Sequence, residues 1–284
     1  MKRFLYFVPV VLAIALLTAC GKPYYDDDVG VGDGNVTLRF LADATRAGVS
    51  DYFSKLNVQL FAQDGSKVFD KVKTQQAGDA NFGMMNVELS EGTYTVVAVG
   101  HSSKVSATIK SPTSVQFTAS DGEKLTDTFC YCEPLVFDGS SITQDCLMYR
   151  ATSMVRFVFT DEETPDNVAR MRFDYTGGSA NFNPSTLQGI TKSTQSEART
   201  LSGEYRIYTF PYLSESGVLK ITANALGADG STVKQRVFEN VPVTRNRITT
   251  LQGTFFDDSD FNTTQSQIGF SVNGEWDGED VYEF

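Results

Sequence analysis

An all-β protein made of antiparallel sandwiches is predicted by this 284-residue sequence, on three observations. Apolar and polar residues alternate in short runs: Val36-Leu38-Phe40, Leu56-Val58-Leu60, Val155-Phe157-Phe159, Met171-Phe173-Tyr175, Leu219-Ile221-Ala223 and Ile268-Phe270-Val272. A period of two puts each set on one face of a strand, as in an antiparallel sheet with one buried side. Dipeptides suited to tight turns punctuate the runs: Asp64-Gly65, Glu91-Gly92, Asp121-Gly122, Asp229-Gly230 and Asn273-Gly274, with glycine supplying positive φ. Helical periodicity is nearly absent; "VSDYFSKL" (49–56) and "DNVARM" (166–171) each predict only a turn or two.

In chain order, the first element is a leader. Lys2 and Arg3 precede an apolar run from Phe4 to Leu17, broken only by Pro9, and small residues Thr18-Ala19 close it. Residues 1–19 therefore read as a secretory signal, since a membrane span needs about 20 apolar residues. Leu17-Thr18-Ala19-Cys20 resembles the bacterial lipobox, in which the cysteine is diacylated and becomes the new N-terminus. Each buried CH₂ contributes about 0.8 kcal/mol, so two or three acyl chains hold a protein on a bilayer where one would let it exchange. Cys20 is thus the predicted lipid attachment. The stretch "CGKPYYDDDVGVGDGN" (20–35) offers little to bury and reads as a lipidated, flexible linker.

The body divides into two sandwiches, 36–147 and 148–284. The division rests on an internal likeness between "LNVQLFAQDGSKVFDKV" (56–72) and "LKITANALGADGSTVKQRV" (219–237). Each is an alternating strand, an Asp-Gly-Ser turn and a strand carrying valine and lysine. Cys130 and Cys132 share a face of one predicted strand, and either is placed to reach Cys146 across a hairpin. One disulfide with a spare thiol is the expectation for an exported chain. A zinc site would need more ligands than these and the distant His101 provide.

The charge balance excludes some functions. A net charge of −11 becomes −13 once Lys2 and Arg3 leave with the leader, and such a chain repels nucleic-acid phosphates and anionic headgroups. Catalytic patterns are missing: His101 stands beside Ser102 and Ser103 without a nucleophile elbow, and there is no phosphate loop, dinucleotide fingerprint or zinc-protease helix. "DDSD" (257–260) and "DGED" (277–280) lack EF-hand spacing and read as solvated turns. No catalytic residue, cofactor or metal is therefore expected, apart from the covalent lipid at Cys20.

Four features taken together are the lipobox, "EGTYTVVAVG" in the first sandwich, the junction "LMYRATSMVRFVFTDEETPDNVARMRFDYTGGSANFNPST", and "RNRITTLQGTFF" near the end. Together they resemble the fimbrillin-like lipoproteins of Bacteroidales-type (type V) pili, within them the fimbrial anchor and minor-subunit family. The resemblance implies two transthyretin-like sandwiches, delivery to the outer membrane on a lipid anchor, and other fimbrial subunits as partners. It also implies assembly by strand exchange, in which an open edge supplies backbone hydrogen bonds and a groove takes alternate side chains. Ile268, Phe270, Val272 and Trp276 would be the anchors of such a strand, unless the segment is this chain's own last hairpin. Shaft subunits of the family are cut after a basic residue past their first strand, and Arg46 stands at that place; an anchor would escape the cut and keep Cys20. Asp26–Asp28 read as a spacer or, by likeness to lipoproteins of gut and oral anaerobes, as a surface-export signal. The rival reading is a surface glycan-binding lipoprotein, for which the chain has a single tryptophan to offer as a sugar platform.

Overall fold

The first half of the chain alternates strand and turn. Its strands are β1 (Val36–Leu41), β2 (Lys55–Ala62), β3 (Lys73–Gln76), β4 (Met84–Val87), β5 (Gly92–His101), β6 (Ala107–Ser111), β7 (Ser114–Phe117), β8 (Thr128–Phe137), β9 (Ile142–Leu147) and β10 (Tyr149–Arg150). The second half continues with β11 (Ser153–Phe159), β12 (Arg170–Thr176), β13 (Asn181–Asn183), β14 (Gln188–Gly189), β15 (Gln195–Thr200) and β16 (Glu204–Thr209). It closes with β17 (Ser216–Leu226), β18 (Thr232–Thr244), β19 (Ile248–Gly253), β20 (Gln265–Ser266) and β21 (Glu279–Glu283). The computed structural model describes residues 34–42, 48–117, 125–257 and 276–284, with backbone alone at Gln265–Ser266. All of these belong to one unit, Gly32–Phe284.

Two sandwiches share one plan. In the first, sheet β4-β1-β9 faces sheet β10-β8-β5-β2-β3; in the second, β16-β11-β19-β21-β20 faces β15-β12-β17-β18. The leading strand of each is antiparallel to one neighbour and parallel to the other: β1 to β4 and β9, β11 to β16 and β19. The order β3-β2-β5-β8 likewise recurs as β15-β12-β17-β18, with every pair antiparallel. The internal repeat is therefore real, but it is not the one predicted from residues 56–72 and 219–237. The first of those segments begins in β2, whose counterpart is β12, and the second begins in β17, whose counterpart is β5. What they share is a turn. Asp64 Oδ1 accepts from Ser66 N and Oγ (2.9 and 2.6 Å), and Asp229 Oδ1 does the same with Ser231. Gly65 and Gly230 sit at φ +82° and +84°. That device is local and serves any hairpin, so its recurrence does not mark equivalent strands.

Five of the six predicted alternating runs fall among the described residues and bury their apolar members, Phe159 only in part; the sixth, Ile268-Phe270-Val272, lies outside them. Leu38, Phe40, Leu56, Val58 and Leu60 enter the first core, and Val155, Phe157, Met171, Phe173, Tyr175, Leu219, Ile221 and Ala223 the second. Each fully buried large apolar side chain contributes about 1.5–3 kcal/mol. Residues 95–99, "TVVAV", do not alternate, because β5 is covered on both faces. Val96 and Ala98 face the first core, while Val97 and Val99 face a third cluster with Ile109, Val115, Phe182 and Phe210. This third cluster lies under a small sheet, β14-β13-β7-β6, in which β7 from the first half pairs with β13 from the second. Of the two predicted helical turns, residues 49–51 form a short 3₁₀ turn, and "DNVARM" gives a single hydrogen-bonded turn at Asp166-Asn167, closed by Val168 N donating to Pro165 O (2.9 Å), before β12 begins at Arg170.

Candidate functional site

The junction between the sandwiches is organised by Arg150, the last residue of β10. Its guanidinium is buried. Nε donates to both carboxylate oxygens of Asp127 (2.8 and 3.0 Å), and Nη1 donates to Asn246 Oδ1 (2.7 Å). The cation lies 4.7 Å from the Phe129 ring centroid and 4.0 Å from that of Trp276. A charge this buried needs such partners to be tolerated. Asn246 adopts φ +59° in the turn between β18 and β19, and its amide donates to Thr152 O (2.9 Å). A cleft of about 540 Å³ opens here, with Tyr52, Asp127, Arg150, Trp276 and Glu279 on its walls.

From Trp276 the chain runs into the last strand. Asp277 N donates to Asn246 O (2.7 Å), Ile248 N to Gly278 O (2.9 Å), and β21 then lies parallel to β19 from Glu279 opposite Ile248 to Glu283 opposite Gln252. Tyr282 and Phe284 pack against the second core, the Phe284 ring centroid 4.9 Å from that of Phe238. Gly253 makes this docking possible: a Cβ there would stand 1.7 Å from the Phe284 carbonyl oxygen. Two residues of β20 pair antiparallel with β21, Gln265 with Tyr282 and Ser266 with Val281. The predicted turn dipeptide Asn273-Gly274 lies outside the described residues.

The corresponding edge of the first sandwich is different. Ile142 N donates to Asn35 O and Met148 N to Leu41 O, so in this parallel ladder the even residues of β9 face β1. The main-chain groups of Thr143 and Leu147 point the other way. Among the described residues no strand pairs with that side of β9.

The predicted site residues fall unevenly. Cys20, Arg46, Ile268, Phe270 and Val272 lie outside the described residues. Trp276 is described, and it packs on Arg150 of its own chain. The disulfide expected at Cys146 is not formed: Cys130, Cys132 and Cys146 are free thiols. Cys130 and Cys132 do share a face, but it is the face toward the third cluster, whereas Cys146 points into the first core beside Tyr131. The sheet itself stands between them. Burial raises all three thiols, Cys132 to about 11 and Cys146 to about 12, so they are protonated and unreactive at neutral pH.

His101 ends β5, fully enclosed. Its Nδ1 accepts from Ser103 N (3.1 Å), which leaves Nε2 to donate to Asn57 Oδ1 (2.8 Å). Burial first, and the Lys55 charge second, lower its pKa to about 4. Of the three "DGED" carboxylates, Asp277 is exposed, while Asp280 pairs with Arg247 (3.2 Å) and Glu279 with Arg156. Among the described residues no three His, Cys, Asp or Glu side chains converge as a metal site, and no helix is long and apolar enough to cross a membrane. Sequence reasoning missed the Arg150 hub; its signal was a lone arginine amid the junction "LMYRAT", with Asp127 and Asn246 too distant in sequence to be linked to it.

A tandem β-sandwich protein with an added C-terminal strand is the class that this architecture defines. The chain belongs to the family of unknown function DUF6562, which matches residues 33–284. No curated protein is similar to it in sequence. Among solved structures, a candidate adhesin from Bacteroides ovatus shares 11% identity with a TM-score of 0.52, covering 87% of each chain. A fimbrial assembly protein from Parabacteroides distasonis shares 14% with a TM-score of 0.45, covering 81% of this chain and 93% of its own. The fimbrial anchor protein of Porphyromonas gingivalis shares 13% with a TM-score of 0.40, over 71% and 80%.

Proposed function

We propose that this chain is a structural subunit of a fimbria, held on the outer membrane by acyl chains on Cys20 and joined to neighbouring subunits by β-strand complementation. The observation that carries this reading is the inequality of two equivalent edges. The β19 edge bears the added strand β21, and the β9 edge bears no strand among the described residues. An edge with outward main-chain donors and acceptors is a template for a partner's strand. The lipobox supports the tether, and the adhesin from B. ovatus, alike in fold, supports a role at the cell surface.

An anchor is the role the geometry favours. β1 sits in the middle of its sheet, and Val36, Leu38 and Phe40 fill the first core. A cut at Arg46 that released β1 would remove both the lipid and those side chains. With β1 kept, a partner strand adds at β9, the edge whose equivalent in the second sandwich carries β21. A sugar platform is the weaker reading, because the only tryptophan spends a ring face on Arg150.

The test is recovery of the full-length protein from its native membrane in mild detergent, with the mature N-terminus read by mass spectrometry. An acylated Cys20 start together with sandwich-fold partners is expected. A start at Ala47 would assign a processed shaft subunit, and a lone acylated monomer retaining oligosaccharide would overturn the fimbrial reading.

A further inference from the structure

A tethered subunit must also carry force, and the directions of the strands bear on how it does so. In the first sandwich the chain enters β1 at Val36 and leaves β9 at Leu147, and these strands are paired in parallel along their whole length, Val36 opposite Ile142 through Leu41 opposite Leu147. Entry and exit therefore lie at opposite ends of one ladder. The second sandwich repeats this. The chain enters at β11, which is parallel to β19, and ends on β21, which is parallel to β19 in turn.

We propose that the first sandwich is a shear clamp, in which tension between the tethered N-terminus and a partner strand on the β9 edge loads the whole β1–β9 ladder of backbone hydrogen bonds at once. Each bond is worth only about 1 kcal/mol net, so a ladder opened from one end yields bond by bond. Pulled along its axis, the same ladder has to break together. Forced unfolding is governed by that kinetic barrier, not by equilibrium stability.

A second observation points the same way. The parallel seams are cross-linked by ion pairs that sliding would separate: Arg39 with Asp145 directly opposite (2.6 Å), Arg247 with Asp280 (3.2 Å), and Arg156 on β11 reaching across β19 to Glu279 on β21. These half-buried pairs lie across the seam, so on a loaded seam they resist slippage of register. The proposal rests on the tether reading for the direction of the load.

Single-molecule force spectroscopy on the full, unacylated chain tests it. Handles at the two ends load the first sandwich in shear. Handles at the N-terminus and at Ser140, in the exposed loop before β9, load the same seam from one end. The extension released identifies the event, that of residues 36–147 with handles at the two ends and that of residues 36–140 with the handle at Ser140. The rupture force is expected to be several times higher in the first geometry, and Asp145→Asn is expected to lower it there alone. Equal forces in the two geometries would overturn the clamp. A missing lipid at Cys20 would remove the tether but change neither force, so the two failures are distinguishable.

Discussion

His101 shows what burial does to one side chain. Its folded pKa of about 4 lies below the ordinary 6.5. Above pH 6.5 both states are neutral at this residue and its contribution is level. Between pH 6.5 and 4 the unfolded chain takes up a proton that the folded chain refuses, so stability falls as pH falls. The loss approaches roughly 3 kcal/mol at the lower limit. Urea midpoints across this window are expected to drop more for the native protein than for His101→Gln, and parallel pH profiles would contradict the assignment. The sequence reads His101 as a strand-end or loop residue, and it ends β5. The sequence did not reveal the Asn57 acceptor, which β2 brings to His101 from 44 residues away. The thiols teach the complementary point. Alternation correctly put Cys130 and Cys132 on one face, but which face that was depended on a second layer of packing that no local pattern encodes.

At the scale of the element, alternation located the strands and their inward residues well where only one face is buried. It was silent on β5, where both faces are covered, and on the short strands β13, which pairs with the distant β7, and β14, which pairs with β13. The likeness between residues 56–72 and 219–237 misled because a turn sequence is conserved by local geometry while strand identity is set by long-range order. The C-terminal strand is held by a close approach that the sequence hides. Gly253→Ala puts a methyl group 1.7 Å from the Phe284 carbonyl oxygen, and its three nearest atoms are all Phe284 backbone, so the last strand itself would have to shift. Hydrogen exchange is expected to show lost protection in β21 with the β12–β17 pairing unchanged. Full protection of β21 in this variant would mean that the strand is not seated as described.

At the scale of the whole molecule, three clusters are linked by shared strands: β5 and β8 contribute to the first core on one face and to the third cluster on the other. The small sheet formed by β7 and β13 closes the third cluster with strands from both halves. The fold class was legible in period and turns. The Arg150 hub and the unequal edges were not, because both depend on residues about a hundred positions apart. The bare edge of β9 is the central claim, and proline at Thr143 tests it most directly. The Thr143 amide points away from β1, so proline there removes a donor from the open edge while leaving the β1 ladder intact. Thr143→Pro is expected to keep the native thermal transition and to lose its partners in the native-membrane pull-down. Recovery of the same partners in the same amount, on a chain that folds normally, would contradict strand addition at β9.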